Sequence, residues 1–229
     1  MIPISVCIIT KNEARSLERC LAALQPFPME IVVVDTGSTD ASKETARKFT
    51  DKVFDFTWID DFSAARNYAA ACASHNIIFP VDTDEILTSL DWDALQTALT
   101  DNPQSVGHIK RLDYFEADTE TKCYEVMIER IYDKRYYHYE RPIHEVILPT
   151  ADIPYTSYET AVTLDHNGYL GDKEVLKQKA ERNLALLYKE VEKAPDDPYP
   201  YFQIAQSYML MRDHARACDY FKEAIIRGF

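Results

Sequence analysis

The stretch NIIFPVDTDEIL, residues 76–87, decides how this chain is read. An apolar run from Ile77 to Val81 has the length and composition of a buried strand, and it ends abruptly in Asp82, Thr83, Asp84 and Glu85. Carboxylates at the mouth of a core need a partner, because an unpaired buried charge is very costly. Extended backbone would aim Asp82 and Asp84 to the same side. Their hard oxygens then suit Mg²⁺ or Mn²⁺, with waters and ligand phosphates completing the octahedron. A solvated acidic strand end is the competing reading for the tripeptide taken alone.

Towards the N-terminus, ISVCIIT (4–10), EIVVVD (30–35) and KVFDF (52–56) are further β-rich runs. Between them KNEARSLERCLAALQ (11–25) places Leu17, Cys20, Leu21 and Leu24 on one helical face. STDASKETARKF (38–49) opens with the cap candidates Ser38 and Thr39, and DFSAARNYAAACAS (61–74) is Ala-rich and helical. This alternation predicts an α/β class fold with a parallel sheet covered on both faces. Ligands collect at the carboxyl ends of such strands, where Thr10, Asp35 and Asp82 fall.

Beyond Asp84 the pattern changes. SVGHIKRLDYF (105–115), KCYEVMIERIYD (122–133) and RYYHYER (135–141) read as antiparallel strands. From Lys173 onward the chain turns helical, with one long helix over 173–194 and then a helical hairpin. Tyr201, Ile204, Ala205 and Tyr208 line the first hairpin helix; Ala217, Tyr220, Phe221 and Ile225 line the second. Its Pro start, aromatic spacing and length of about 34 residues resemble one tetratricopeptide unit, which cannot bury a core by itself. The boundary is expected near residues 168–173, giving domains 1–170 and 171–229. The hairpin is either self-sufficient or covered on its last face by another subunit.

The totals narrow the function. With 38 Asp and Glu against 25 Lys and Arg, a formal charge of −13, the chain lacks the cationic surface of a general nucleic-acid binder. Cys7, Cys20, Cys72, Cys123 and Cys218 show no disulfide-like or zinc-like spacing, so reduced and mostly buried thiols in a cytosolic protein are expected. The start MIPISVCIITKNE has no basic n-region, and no run approaches the ~20 apolar residues of a membrane span. The expected location is cytoplasmic, including the inner face of the membrane, although the acidity gives no attraction to anionic lipid.

Two further groups of residues carry chemistry. In VVVDTGSTD (32–40), Asp35 can accept hydrogen bonds from a ribose or base, and Gly37 lets backbone approach a ligand. A helix cap with a tight turn is the alternative. In WIDDFSAARNYA (58–69), Asp61 can cap a helix that carries Arg66, and Arg suits phosphate recognition as well as a structural ion pair. No G-x-G-x-x-G or Walker A pattern occurs, which weighs against ordinary dinucleotide and P-loop chemistry.

The order and spacing of TKNEA, VVVDTGSTD, DDFSAARN and FPVDTDEIL resemble a family 2 glycosyltransferase with the GT-A (Rossmann-like) fold. The subgroup it resembles carries a tetratricopeptide-like helical segment after the catalytic domain. The resemblance implies that Thr10, Asn12 and Glu13 line the nucleoside site and that Asp35 binds base or ribose. It places Asp61 and Arg66 at base and diphosphate, and Asp82 and Asp84 at the divalent-metal motif. HE in YYHYERPIHEVIL implies Glu145 as general base, with His144 orienting it, holding acceptor or taking a metal position. His166 in DHNGYLGD resembles an element that approaches the metal or the phosphates, and Arg130 one that faces donor or acceptor. Tyr136, Tyr137 and Tyr139 are read as sheet packing or a sugar-stacking platform. Thr83, between the aspartates, should point away from the metal.

The implied activity is inverting, metal-dependent transfer from a nucleotide-sugar, with UDP the favoured nucleotide, to a saccharide, lipid-linked saccharide or peptide. The helical tail is expected to recruit a protein or peptide, support a homodimer, or brace the catalytic domain. A turnover-less adaptor that binds a protein through this tail is the alternative. A nucleotidyltransferase is the third reading, and TKNEARS lacks the glycines of its phosphate loop.

Overall fold

The computed structural model describes residues 1–117, 120–169 and 173–229. It divides into two compact units, Met1–Arg141 with Glu145–Leu170, and Pro142–His144 with Gly171–Phe229. The boundary expected between residues 170 and 171 lies outside the described residues.

The first unit begins β1 (Ile4–Thr10), α1 (Ala14–Leu24), β2 (Glu30–Asp35), α2 (Ser42–Arg47), β3 (Val53–Asp55), α3 (Phe62–Cys72) and β4 (Ile77–Pro80). It continues with β5 (Glu85–Leu90), α4 (Trp92–Asp101), β6 (Val106–Ala117), β7 (Glu120–Asp133), β8 (Tyr137–Glu140), β9 (Val146–Pro149) and β10 (Ser157–Tyr169). Eight strands form one mixed sheet in the order β3-β2-β1-β4-β7-β6-β10-β5, and β8 pairs with β9 in a separate two-stranded sheet. β3, β2, β1 and β4 are parallel. β7 joins β4 antiparallel, and β6 pairs antiparallel with β7.

Period-two alternation sorts the apolar strands onto two sheet faces. Ile4, Val6, Ile8, Ile31 and Val33 pack with Leu17, Cys20, Leu21 and Leu24 of α1. Cys7, Val32 and Val34 point the other way, to Ala69, Ala70 and Ala73 at α3 and to Tyr132, Tyr137 and Tyr139. These runs look continuous in sequence because both faces are covered. The parallel half ends at the side where Thr10 and Asp35 close β1 and β2 and Asp82 follows β4 by two residues.

Several expectations are corrected. RYYHYER yields only the short β8, outside the main sheet. β5 was not foreseen. Its run EILTSL is only half buried, and it is added at the sheet edge by antiparallel pairing with the distant β10. The packing reading of the tyrosines, by contrast, holds for Tyr137 and Tyr139, which are buried in the core. Among the cysteines, all free, Cys7 and Cys20 are buried, whereas Cys123 and Cys218 are exposed. Cys123 lies near the outer end of β7, where the residues from Glu120 to Glu125 are exposed.

The second unit contains α5 (Lys173–Lys193), α6 (Pro198–Leu210) and α7 (His214–Ile226). Asp197 caps α6 through Tyr199 N–H (3.0 Å), and Asp213 caps α7 through Arg216 N–H (3.0 Å). Tyr201, Ile204, Ala205 and Tyr208 are buried as their spacing predicts. On α7 the buried residues are Ala217 and Ala224, while Ile225 is exposed, which corrects its placement. Tyr188, Tyr208 and Tyr220 join their hydroxyls over 2.7 Å and 3.3 Å, so the buried Tyr208 phenol does not lack a partner. No helix among the described residues is long and apolar enough to cross a membrane.

Candidate active site

The two N-terminal loops are laced together by side-chain bonds to backbone. Asn12 sits at φ 55°, a left-handed conformation that Asn tolerates. Its Oδ1 accepts from Thr39 N–H (2.7 Å), and its own N–H donates to Ser38 Oγ (2.8 Å). Glu13 N–H donates to Ser42 Oγ (2.9 Å). Ser38 and Thr39 therefore hold Asn12 instead of capping a helix. Asp35 is buried, and its Oδ1 accepts from the N–H groups of Gly37 (2.9 Å) and Ser38 (2.8 Å). Gly37 sits at φ 103°, which favours glycine. Asp35 Oδ2 and Thr10 Oγ1 are buried with no hydrogen-bond partner among the described residues. Such orphan atoms at neighbouring strand ends fit a ligand that brings its own donors.

The third loop leads into α3. Asp61 caps it through Ala64 N–H (2.8 Å), confirming a structural task for this residue. Arg66 and Asn67 follow one turn later and do different jobs. Asn67 clamps the backbone of Tyr139, accepting from its N–H at 2.9 Å and donating to its carbonyl at 2.8 Å. The amide thus acts as a strand partner for β8 and fixes it to α3. The Arg66 guanidinium lies over the Tyr139 ring, 5.4 Å from its centroid.

Asp82 and Asp84 do not adopt the extended geometry expected of them. Residues 82–85 close a turn in which Glu85 N–H donates to the Asp82 carbonyl (3.0 Å). The fully buried Glu85 returns the bond, its Oε2 accepting from Asp82 N–H at 2.9 Å. The turn sends the two aspartates to different partners. Asp82 Oδ1 accepts from Arg66 (2.9 Å) and Oδ2 from Arg130 (3.2 Å). Arg66 Nε donates to Glu145 Oε1 (2.7 Å), and Arg130 also donates to Glu85 Oε1 (2.9 Å). Burial alone would raise the Asp82 pKa, but Arg66 and then Arg130 outweigh it and hold the carboxyl well below its usual range. Burial would likewise lower Arg66, and Asp82 and Glu145 keep it firmly charged.

The network continues on the other side of the turn. Arg111 reaches Glu85 Oε1 (3.4 Å) and Asp113 Oδ2 (2.9 Å), and Asp113 Oδ1 lies 2.7 Å from His166 Nδ1. His166 Nε2 lies 3.7 Å from Asp84 Oδ2. Burial opposes charging His166, yet Asp84 raises its pKa above the ordinary value. Signs thus alternate from Glu145 through Arg66, Asp82, Arg130, Glu85 and Arg111 to Asp113, and His166 lies between Asp113 and Asp84. Each buried charge has an opposite neighbour, as burial requires.

Arg111, Asp113 and the role of Glu85 were missed in the sequence reading. The signal for Arg111 and Asp113 was their i, i+2 placement on one otherwise apolar face of β6, beside Ile109 and Phe115. His144 belongs to the second unit and sits at φ 51°; its carbonyl accepts from Tyr199 Oη at 3.1 Å.

Among the described residues no group of three or more His, Cys, Asp or Glu is arranged to hold a metal ion. Two donor atoms do converge, Asp84 Oδ2 and His166 Nε2. At Gly168 a Cβ would stand 2.4 Å from that nitrogen and 2.5 Å from that oxygen, so glycine alone keeps the space between them clear. A carboxylate oxygen and an imidazole nitrogen suit a divalent cation such as Mn²⁺ that takes its remaining ligands from elsewhere.

A TPR repeat-containing protein of Synechococcus elongatus is 31% identical over 211 residues, which cover 87% of this chain and 50% of that protein. Glycosyltransferase SunS of Bacillus subtilis is 24% identical, covering 95% and 52%. The chain spans about half the length of these curated relatives. The solved S. aureus TarS 1-349 in complex with UDP-GlcNAc shows a partial likeness, with 25% identity, TM-score 0.43, and coverage of 52% of this chain and 37% of that one. The model of glycosyl transferase family 2 matches residues 5–151, more than half of the chain. Those residues carry the loops that end β1 and β2, the α3 arginine, the Asp82–Glu85 turn and Glu145, and the chain belongs to glycosyl transferase family 2.

Proposed function

We propose that this chain is an inverting, divalent-metal-dependent glycosyltransferase that moves a sugar from a UDP-sugar to a saccharide, lipid-linked saccharide or peptide. The observation that carries the reading is the contact of Arg66 with both Asp82 and Glu145 at the carboxyl end of the parallel strands. One guanidinium there ties the proposed base to the acidic turn.

In this reading the orphan oxygens of Asp35 and Thr10 accept from base or ribose, while Asn12 and Glu13 act through loop structure. Arg66 and Arg130 exchange part of their pairing with Asp82 for the diphosphate. Arg130 Nε, buried without a partner among the described residues, is a ready donor. Glu145 deprotonates the acceptor hydroxyl as its oxygen bonds to the anomeric carbon, and the carbon–oxygen bond to the diphosphate breaks on the opposite face. Mn²⁺ or Mg²⁺ held by Asp84 and His166 would stabilise negative charge growing on the departing diphosphate. Asp82 serves this scheme by orienting two arginines. Domain 1–170 carries the chemistry, and the helical domain 171–229 presents a protein or peptide acceptor or a second copy. We place the reaction in the cytoplasm.

Release of UDP from a panel of UDP-sugars with Mn²⁺ and oligosaccharide or peptide acceptors tests this reading. Transfer with inverted anomeric configuration, read by proton NMR coupling constants, is expected. Retained configuration would remove Glu145 as the single-displacement base, and an absence of nucleotide binding would favour the adaptor.

A further inference from the structure

We propose that Asp113, braced by Arg111, is a positioning residue that aims His166 at the divalent cation. This rests on the metal reading above. β6 and β10 run parallel with Asp113 directly opposite His166, so the carboxylate and the imidazole meet on one face of the sheet. Asp113 is 1% exposed, and Arg111 straddles its carboxylate, with Nε 2.7 Å from Oδ1. Oδ2 accepts from Arg111, and Oδ1 accepts from His166 Nδ1 at 2.7 Å.

A carboxylate held by an arginine has only acceptors to offer, so the hydrogen sits on Nδ1. With a cation bound, Nε2 would then present its lone pair on the side of Asp84 Oδ2, 3.7 Å away. Arg111 also contacts Glu85, the residue that closes the Asp82–Asp84 turn. One guanidinium thus ties the orientation of the histidine to the turn that carries the second donor atom. Ion pairing with Arg111 accounts for the burial of Asp113 but not for the space that glycine at 168 keeps clear beside His166 Nε2 and Asp84 Oδ2.

The test is Mn²⁺ affinity, measured by electron paramagnetic resonance of free Mn²⁺ at saturating UDP, for Asp113→Asn, Asp113→Ala, Asp84→Ala and His166→Ala. Loss of such an outer partner weakens metal binding about 10–100-fold, and both Asp113 variants should fall in that range. Their UDP affinity without metal should match wild type. Loss of Mn²⁺ binding in Asp84→Ala and His166→Ala but not in the Asp113 variants would overturn the inference and leave the metal reading standing. Unchanged binding in Asp84→Ala and His166→Ala, or no Mn²⁺ binding by wild type, would overturn both. A fall in metal-free UDP affinity equal to the fall for Mn²⁺ would reduce Asp113 to a purely structural residue.

Discussion

Asn67→Ala tests whether the amide clamp on Tyr139 holds β8 to α3. The change removes an acceptor 2.9 Å from Tyr139 N–H and a donor 2.8 Å from its carbonyl, and Tyr139 is only 3% exposed. A buried polar group left unsatisfied costs about 1–3 kcal/mol. Asn67 occupies a helix interior, where alanine is better than asparagine by ~0.6 kcal/mol. Taking the lower half of the range for each lost bond, the net destabilisation is about 2 kcal/mol. For a chain of this size that lowers the unfolding midpoint by roughly 4–8 °C. Asn67→Asp keeps the acceptor but turns a second carboxylate oxygen toward the Tyr139 carbonyl, so it should be at least as damaging. The assay is thermal unfolding followed by circular dichroism. Both variants within about 1 °C of wild type, the behaviour of a neutral surface site, would refute the clamp.

Glu145→Gln should lower kcat by about 10²–10⁴ while the donor KM stays near wild type, as loss of a general base requires; an unchanged kcat in steady-state UDP release would move the base elsewhere. Gly168→Ala puts a Cβ 2.4 Å from His166 Nε2 and 2.5 Å from Asp84 Oδ2, so Mn²⁺ affinity should collapse, with a strain of about 1–3 kcal/mol in unfolding; undiminished metal binding would contradict the assignment. Burial would raise the Glu30 pKa, but hydrogen bonds from Lys52, Ser5 and Ser74 prevail and lower it to about 2. Its folded value lies below its unfolded one, so its stabilisation is full above about pH 4.5 and is lost as pH falls toward 2. Glu30→Gln should therefore lose stability at pH 7 and show a shallower decline across that window in urea titrations; parallel pH profiles would count against it.

The parallel half was legible because its signals are local. Continuous apolar runs define β1 and β2, and a four-residue spacing sets the buried face of α1 from Leu17 to Leu21. The placement of Thr10, Asp35 and Asp82 followed from strand order alone. What was hidden depends on partners far along the chain. The turn at Asp82–Glu85 forms because Glu85 bonds back to Asp82 N–H while Arg130, 45 residues away, and Arg111 balance its charge. Asp113 and His166 look ordinary separately and become a pair only when β10 is laid beside β6. Asn12 and Asn67 look like ligand or surface residues, yet their amides bind backbone of other segments. Helical period places Ile225 on the lining face of α7, and in the structure the neighbouring Ala224 takes the buried position.

Whether a nucleoside diphosphate and a divalent cation meet at Asp84, His166 and the two arginines is read from unfolding midpoints. They would be recorded with UDP, GDP, dTDP and CDP, each with and without Mn²⁺. A ligand at ~100 times its dissociation constant adds roughly 2.7 kcal/mol, or about 5–10 °C for a chain of this size. A shift of that order that needs UDP and Mn²⁺ together and vanishes in Asp84→Ala is expected. Midpoints unmoved by every nucleotide, or a UDP shift indifferent to both Mn²⁺ and Asp84→Ala, would contradict it.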